Sequence, residues 1–455
     1  MHVFLGVENF AKIESARVCM DGYSLLVGPN NSGKTFLMQL IQGVNEKIIS
    51  LIDKTVLQIL GLDGDRFSRM IENDGEKCIR YIISQVNISQ FTEYLNEKLD
   101  AEKEHIVKEI FGKEIPIRKL YIEILLEVEE SYEITIFDDI KRMEKAIKPF
   151  WTEQINIPYL SPQDIIASTL MKYDTEKPNG QLLWTSISQL KSKINAVISN
   201  LREIFEYQSL FLPASRTGLM LLYRDFFANK ADSVMSYEMR KKQFIEDKNI
   251  YGNLTQPIYQ FLRVLQTYTE SDDRKKEYKD EIDFFEKQLI EGHISAEKQN
   301  GFVFDSAIDN MSVPMYMASS MINEIAPIVL ALMDKKSYGR LIIDEIEASL
   351  HPKKQLELVR FLNRLSNKGI KLILSTHSDT FASKMNNLYV LSEYVIQNRD
   401  YEIINKMGLQ KEDLMDTKNL FVYEFINQPN GQSIVKNITG DKTTGYQFYL
   451  FTASA

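Results

Sequence analysis

Cysteine is almost missing from this chain. Two occur in 455 residues, Cys19 and Cys78, far apart and without partners at metal-ligand spacing. That excludes a disulfide framework and a zinc site, and it fits a reducing compartment. Long apolar runs are also missing. No stretch approaches the ~18 continuous apolar residues of a spanning helix, so no membrane partner is expected. The opening MHVFLGVENF lacks a basic region followed by a long apolar run, so a signal peptide is not expected and the cytoplasm is the expected location. Positive charge is in deficit: 54 Lys and Arg against 63 Asp and Glu give a net charge of −9. Such a surface repels nucleic acid unless a local basic patch overrides it. Two basic runs occur, Arg240-Lys241-Lys242 and Arg274-Lys275-Lys276. Both are flanked by acids and read better as solvated helix faces. Sustained heptads are absent too, which excludes a long coiled coil.

What is present begins at residue 23. A short apolar run, Tyr23 to Val27, enters Gly28-Pro29-Asn30-Asn31-Ser32-Gly33-Lys34-Thr35, and Leu37, Leu40, Ile41 and Val44 follow at helical spacing. Strand, glycine-bounded loop and helix form the context in which this spacing makes a phosphate-binding loop. Glycines let the backbone approach phosphate oxygens, the curled N–H groups point inward, and the helix N-terminus adds partial positive charge. Lys34 would reach the β- and γ-phosphates of ATP, and the Thr35 hydroxyl would hold Mg²⁺.

A second motif reads Arg340-Leu341-Ile342-Ile343-Asp344-Glu345-Ile346-Glu347-Ala348-Ser349-Leu350-His351-Pro352. A buried strand delivers two adjacent carboxylates at its C-terminal end, where open α/β sheets place ligands. Burying both is costly without a cation. Asp344 would hold the metal, and Glu345 would orient or deprotonate the attacking water. A third strand, Ile370 to Ser375, ends in Thr376-His377-Ser378, which would turn His377 toward the γ-phosphate. Two further groups are less specific. Ser209 to Leu212 ends at Pro213 and brings Arg216 into a loop, where it would either face phosphate or pair with a nearby carboxylate. Ser319 and Ser320 open an apolar helix, as N-caps or as phosphate donors.

Chain length allows up to about three folding units. The pattern points to an α/β head from 1–60 and 300–455, with 119–137 and 209–218 contributing strands. Helical insertions are expected over 62–118, 140–208 and 226–300. The helix after Thr35 is expected to continue or restart through Ile59. The runs Lys119 to Glu129 and Tyr132 to Phe137 alternate and are expected to pair across a Glu130-Ser131 turn. Short strands are expected at Leu388 to Leu391 and at Leu420 to Ile426, with a turn at Asn427 to Gly431.

Together, GPNNSGKT, LIIDEIEASLHP and LILSTHS resemble the ABC-type ATPase head of the SMC, RecF and overcoming-lysogenization-defect group. The likeness covers about 1–45 and 300–395, and FLPASR resembles that group's stand-alone bacterial ATPases. The opening VENFAKIESARV resembles the antiparallel N-terminal strands that such heads fold over the adenine side. The resemblance implies a P-loop ATPase head in a head-to-tail homodimer or higher oligomer. Each nucleotide would lie between one subunit's phosphate loop and the signature loop of the other. Here that loop is Met317-Ala318-Ser319-Ser320-Met321, with methionine where the usual glycine stands. The nuclease domain of fused members is not expected within this chain, because no acidic strand-end cluster follows. The remaining likeness is to the ATPase halves of two-component phage-defence systems such as PARIS, Septu and the retron-associated ATPases, in which a separate effector, often a nuclease, is controlled. A repair or recombination ATPase of RecF or SMC kind is the alternative, and contact with nucleic acid stays open. A transporter subunit fits less well, given the large insertions. A nucleotide-gated scaffold with slow turnover is compatible with the defence reading.

Overall fold

The computed structural model describes residues 2–53, 56, 71–73, 76–83, 85–125, 132–137, 205, 208–238, 254–297 and 301–448. In chain order the first elements are β1 (His2–Phe10), β2 (Ile13–Cys19), β3 (Tyr23–Val27), α1 (Lys34–Leu51), β4 (Ile71–Asn73), β5 (Glu76–Ile83) and α2 (Gln85–Phe111). β6 (Lys119–Leu125), β7 (Tyr132–Phe137), β8 (Ser209–Leu212), α3 (Arg216–Glu238) and α4 (Gln256–Gln266) follow. Then come β9 (Gly292–Glu297), β10 (Gly301–Ser306), β11 (Ser312–Pro314), α5 (Ser320–Met333), β12 (Arg340–Ile343), α6 (Pro352–Asn367) and β13 (Lys371–Thr376). The last are α7 (Asp379–Asn398), β14 (Leu420–Asn427) and β15 (Ser433–Ile438).

The chain divides into two compact units. One comprises Met1–Phe4, Asn45–Lys103 and Leu120–Tyr207. Within it, β5 pairs antiparallel with both β4 and β7. In β6 the alternation is realised: Leu120, Ile122 and Ile124 are buried, while Lys119 and Leu125 are exposed. Asn96 fastens α2 to that strand, donating to the Ile122 carbonyl at 2.9 Å and accepting the Ile122 N–H at 2.7 Å.

The other unit comprises Leu5–Val44, Glu104–Lys119 and Gln208–Ala455. Its sheet runs β1-β2-β15-β14-β3-β13-β12-β8. The last five strands are mutually parallel. β3, β12 and β13 each carry an unbroken aliphatic run, Leu25–Val27, Leu341–Ile343 and Leu372–Leu374, and these runs are buried, as in strands covered on both faces. α5 is buried from Ile322 to Met333 without interruption. It shares one core with Phe261, Leu262, Phe285, Leu341 and Phe361. A three-stranded antiparallel meander, β9-β10-β11, belongs to the same unit.

Several expectations need correction. α1 ends at Leu51 and so does not run unbroken to Ile59; Val56 is helical again, and 54–55 and 57–59 lie outside the described residues. The region 62–118 holds strands β4 and β5 beside its helix, and 226–300 ends in β9. β7 pairs with β5, not with β6. Two alternating runs and a polar link make a hairpin signal, but they cannot report an upstream strand competing for the same edge. Leu388 to Leu391 is helical, inside α7. Four apolar residues cannot reveal their period; the buried set Phe381, Ala382, Met385, Leu388, Tyr389 shows it. β14 and the β14–β15 turn stand where expected. Residues 140–204, the Lys177-to-Gly180 loop, the Glu130-Ser131 turn and Arg240-Lys241-Lys242 lie outside the described residues. In the second basic run, Arg274 pairs with Glu277 and Lys275 with Glu270, but Arg274 lies over the Tyr278 ring and is mostly buried, so the face is solvated only in part.

Candidate active site

The five parallel strands share a C-terminal edge, and the motif residues leave from it. β3 leads into Gly28, β13 into His377, β12 into Asp344, and β8 into Pro213. β3, β13 and β12 are adjacent in the sheet, although some 300 residues of sequence lie between the first and the other two.

The loop between β3 and α1 is built by its glycines. Gly33 has φ +97°, where a side chain is strained, and a Cβ there would stand 2.9 Å from Ile13. At Gly28 a Cβ would meet that of Phe425 at 2.6 Å, so only glycine lets the loop leave β3 beside β14. Asn31 also adopts φ +59°, which asparagine tolerates better than most residues. Ser32 is buried; Pro29 is half-buried; Asn30, Asn31 and Thr35 are exposed. Lys34, 4 % exposed, folds back onto the loop and donates to the Gly28 and Pro29 carbonyls, both at 2.9 Å, and to Ser32 Oγ at 3.2 Å. Its ammonium thus lies among three neutral oxygens. Burial outweighs the attraction of Asp344, Glu345 and Glu347 and lowers its pKa to about 8.

Asp344 is 2 % exposed, and neutral hydroxyls engage both carboxylate oxygens. Thr35 donates to Oδ2 at 2.6 Å and Ser375 to Oδ1 at 2.5 Å. Lys34 and Arg216 attract this charge, but the groups that bond its two oxygens here are hydroxyls, which compensate a buried carboxylate only in part. An oxygen pair from Thr35 and Asp344 is what a hard divalent cation such as Mg²⁺ takes, so the residues present fit that ion.

Glu345 adopts φ +47°, the left-handed region. Such a conformation persists where surrounding bonds over-determine it. Here the Glu345 N–H donates to Ser375 Oγ at 2.8 Å, and the next N–H, of Ile346, to the Ser375 carbonyl at 3.1 Å. The Glu345 carboxylate stays half-exposed, with Oε1 3.6 Å from His377 Nε2. Partial burial, then the charges of Asp344 and Glu347, raise its pKa. The His377 pKa is lowered, first by burial and next by Lys34, which keeps the imidazole neutral at pH 7.

The structure therefore gathers Lys34, Thr35, Asp344, Glu345 and His377 at one edge. Arg216 is a correction. It is fully buried, and its donors go to backbone carbonyls and to the Glu324 carboxylate, so it faces no phosphate. Of the two alternatives for it, carboxylate pairing is the one found. Ser319 and Ser320 are exposed at the start of α5. Ser319 is its N-cap, accepting the Ile322 N–H at 3.3 Å, which leaves the hydroxyl hydrogen unused by that bond. Within the described chain nothing brings these two serines to the Lys34 loop.

Three participants escaped the sequence reading. Ser375 bridges Asp344 and Glu345, and its only sequence signal is a polar residue ending an apolar strand. Glu347 Oε1 accepts the N–H groups of His377 and Ser378 at 2.7 and 3.0 Å and fixes the start of α7. Glu324 is a lone acid inside the apolar stretch of α5, and that isolation was readable.

Among the described residues no helix is long and apolar enough to cross a membrane. No curated protein matches the chain. Similar solved structures include SMC head domains at low identity. One from Thermotoga maritima has 11 % identity, covers 96 % of this chain and 100 % of that one, and gives a TM-score of 0.32. Another, derived from Pyrococcus furiosus and bound to the C-terminal domain of ScpA, has 12 % identity, 96 % coverage of both chains and a TM-score of 0.31. A third, bound to the C-winged helix domain of ScpA, has 11 % identity, 96 % and 97 % coverage and a TM-score of 0.34. A family model for the AAA ATPase domain matches residues 1–382, and with a phosphate loop and a strand-end Asp-Glu pair brought to one sheet edge, the chain belongs to the AAA ATPase domain family.

Proposed function

We propose that this protein binds ATP at the Gly28–Thr35 loop and hydrolyses it to ADP and phosphate with Glu345 as the proton acceptor. The observation that carries the reading is the meeting of Lys34, Thr35, Asp344, Glu345 and His377 at the ends of three adjacent parallel strands. Lys34 leaves its carbonyl cradle for the β- and γ-phosphates, since a polyanion compensates the buried ammonium better than three neutral oxygens do. Thr35 and Asp344 would hold Mg²⁺, which when bound neutralises charge on the β- and γ-phosphate oxygens. Glu345 takes the proton of the attacking water as the bond from the γ-phosphorus to its bridging oxygen breaks. Its raised pKa makes it a better base than an ordinary surface carboxylate. Neutral His377, beside Glu345, offers a ring N–H to the γ-phosphate.

The wider role rests on motif resemblance. We read the chain as the sensor and scaffold subunit of an anti-phage system, cytoplasmic, assembling as a homodimer or larger oligomer through the nucleotide and controlling a separate effector of the nuclease kind. The exposed Ser319 and Ser320 support assembly, because they stand ready at a helix start but are not brought to their own chain's loop.

The test is ATP binding by calorimetry for the wild type and for Lys34→Ala. The account expects Lys34→Ala to lose measurable binding; normal affinity in that variant contradicts the loop assignment.

A further inference from the structure

Arg216 has no place in the mechanism above, yet with Arg340 it is among the largest fully buried side chains of the described residues. Four backbone carbonyls surround it. Nε donates to Glu324 O at 2.7 Å, Nη1 to Pro213 O at 3.0 Å and to Asp344 O at 2.6 Å, and Nη2 to Glu345 O at 3.0 Å. Its counter-charge is the Glu324 carboxylate, with Oε2 3.1 Å from Nε. The other carboxylate oxygen accepts the Thr217 N–H at 3.0 Å, and the Thr217 hydroxyl donates to Ser320 O at 3.3 Å.

Each bond has a location that matters. Asp344 and Glu345 form the turn bearing the metal-binding and base carboxylates. Glu324 and Ser320 lie in the first turns of α5, directly after the exposed Ser319. Only a planar guanidinium presents enough donors, in fixed directions, to hold both elements at once. A core needing bulk alone would be served by an aliphatic side chain, without the cost of burying an ion pair. The αL conformation of Glu345 needs bonds on both sides: Ser375 holds its N–H, and Arg216 holds its carbonyl.

We propose that Arg216, with Glu324, is a positioning residue that couples α5 to the Asp344–Glu345 turn, so that the placement of Glu345 follows the position of the Ser319–Ser320 helix start. A ligand or second subunit that engages those serines then alters turnover without touching the phosphate loop. This rests on the reading of Glu345 as the base.

The experiment is a double-mutant cycle on the full chain, with ATP affinity, kcat and thermal unfolding measured in parallel. Arg216→Lys keeps the charge opposite Glu324 but cannot reach four carbonyls. It is expected to lower kcat by about 10- to 100-fold, the usual cost of misplacing a catalytic group, with ATP affinity within about threefold of wild type. Glu324→Gln, which keeps an acceptor for the Thr217 N–H, should show the same split. In a Glu345→Gln background neither substitution should lower the residual rate further, because the group they position is already gone. Wild-type kcat in both variants, or a full additional loss in the Glu345→Gln background, overturns the proposal. So does failure of both variants to fold, which would assign Arg216 to the core alone. If Glu345→Gln by itself retains full activity, the fault lies with the base assignment instead.

Discussion

Lys34 turns a local energetic fact into a pH prediction. Burial lowers its pKa to about 8 when only carbonyls and Ser32 surround the ammonium. A triphosphate in the loop stabilises the charged form and raises that pKa again. The unliganded protein therefore gives up the Lys34 proton above about pH 8, and binding must take one up. The account predicts ATP affinity that is level below about pH 7 and weakens by up to tenfold per pH unit above about 8. Calorimetry at several pH values, in buffers of different ionisation heat, reads both the trend and the proton uptake. Lys34 was legible because its motif has a fixed spacing within eight residues. Ser375 and Glu347 were not, because each acts through backbone N–H groups on a loop distant in sequence. Arg216 stood in the right neighbourhood, but its partners, Glu324 and the Asp344 carbonyl, lie more than 100 residues away.

The elements that carry the site depend on fastenings remote from it. α6 follows the carboxylate strand and is tied to the approach to β14 through Asp413. That carboxylate is fully buried and takes Arg364 at 2.7 Å, Arg360 at 2.8 and 3.0 Å, and the Gln410 N–H at 2.9 Å. Asp413→Ala leaves two mostly buried guanidiniums without their shared anion. The expected loss is about 3–5 kcal/mol of stability, readable as an earlier urea midpoint with an unchanged slope. Element type was readable where the apolar pattern was long or fixed by a motif, as at β3, β12, β13, α1 and α6. It failed at Leu388 to Leu391 and at β4 and β5, where a short window carried either period. Pairing was the least legible: β7 chose β5 over its chain neighbour, a contest settled by tertiary packing.

Assembly is the largest claim. Ser319 and Ser320 are exposed at a helix start, as are Tyr316 and Met317 just before them, at 70 % and 63 %. Apolar side chains beside unused donors suit a surface that closes on a second copy when nucleotide is present. Glu345→Gln with ATP should shift the protein from monomer to dimer in sedimentation velocity, and ADP should not. A monomer under both conditions removes the sandwich from the account. The division into two compact units was not readable as drawn. The sequence pattern treats 226–300 as an insertion, yet Phe261, Leu262 and Phe285 share the core of α5 and β12. Charge-rich helices hide that face because their solvent side dominates the composition.

The central claim is that one carboxylate at the end of β12 removes the proton of the attacking water. Phosphate release by Glu345→Gln at saturating ATP tests it most directly. The account predicts a rate lower by about 100-fold or more, since general-base catalysis contributes 10²–10⁴-fold; a rate equal to that of the wild type would contradict it.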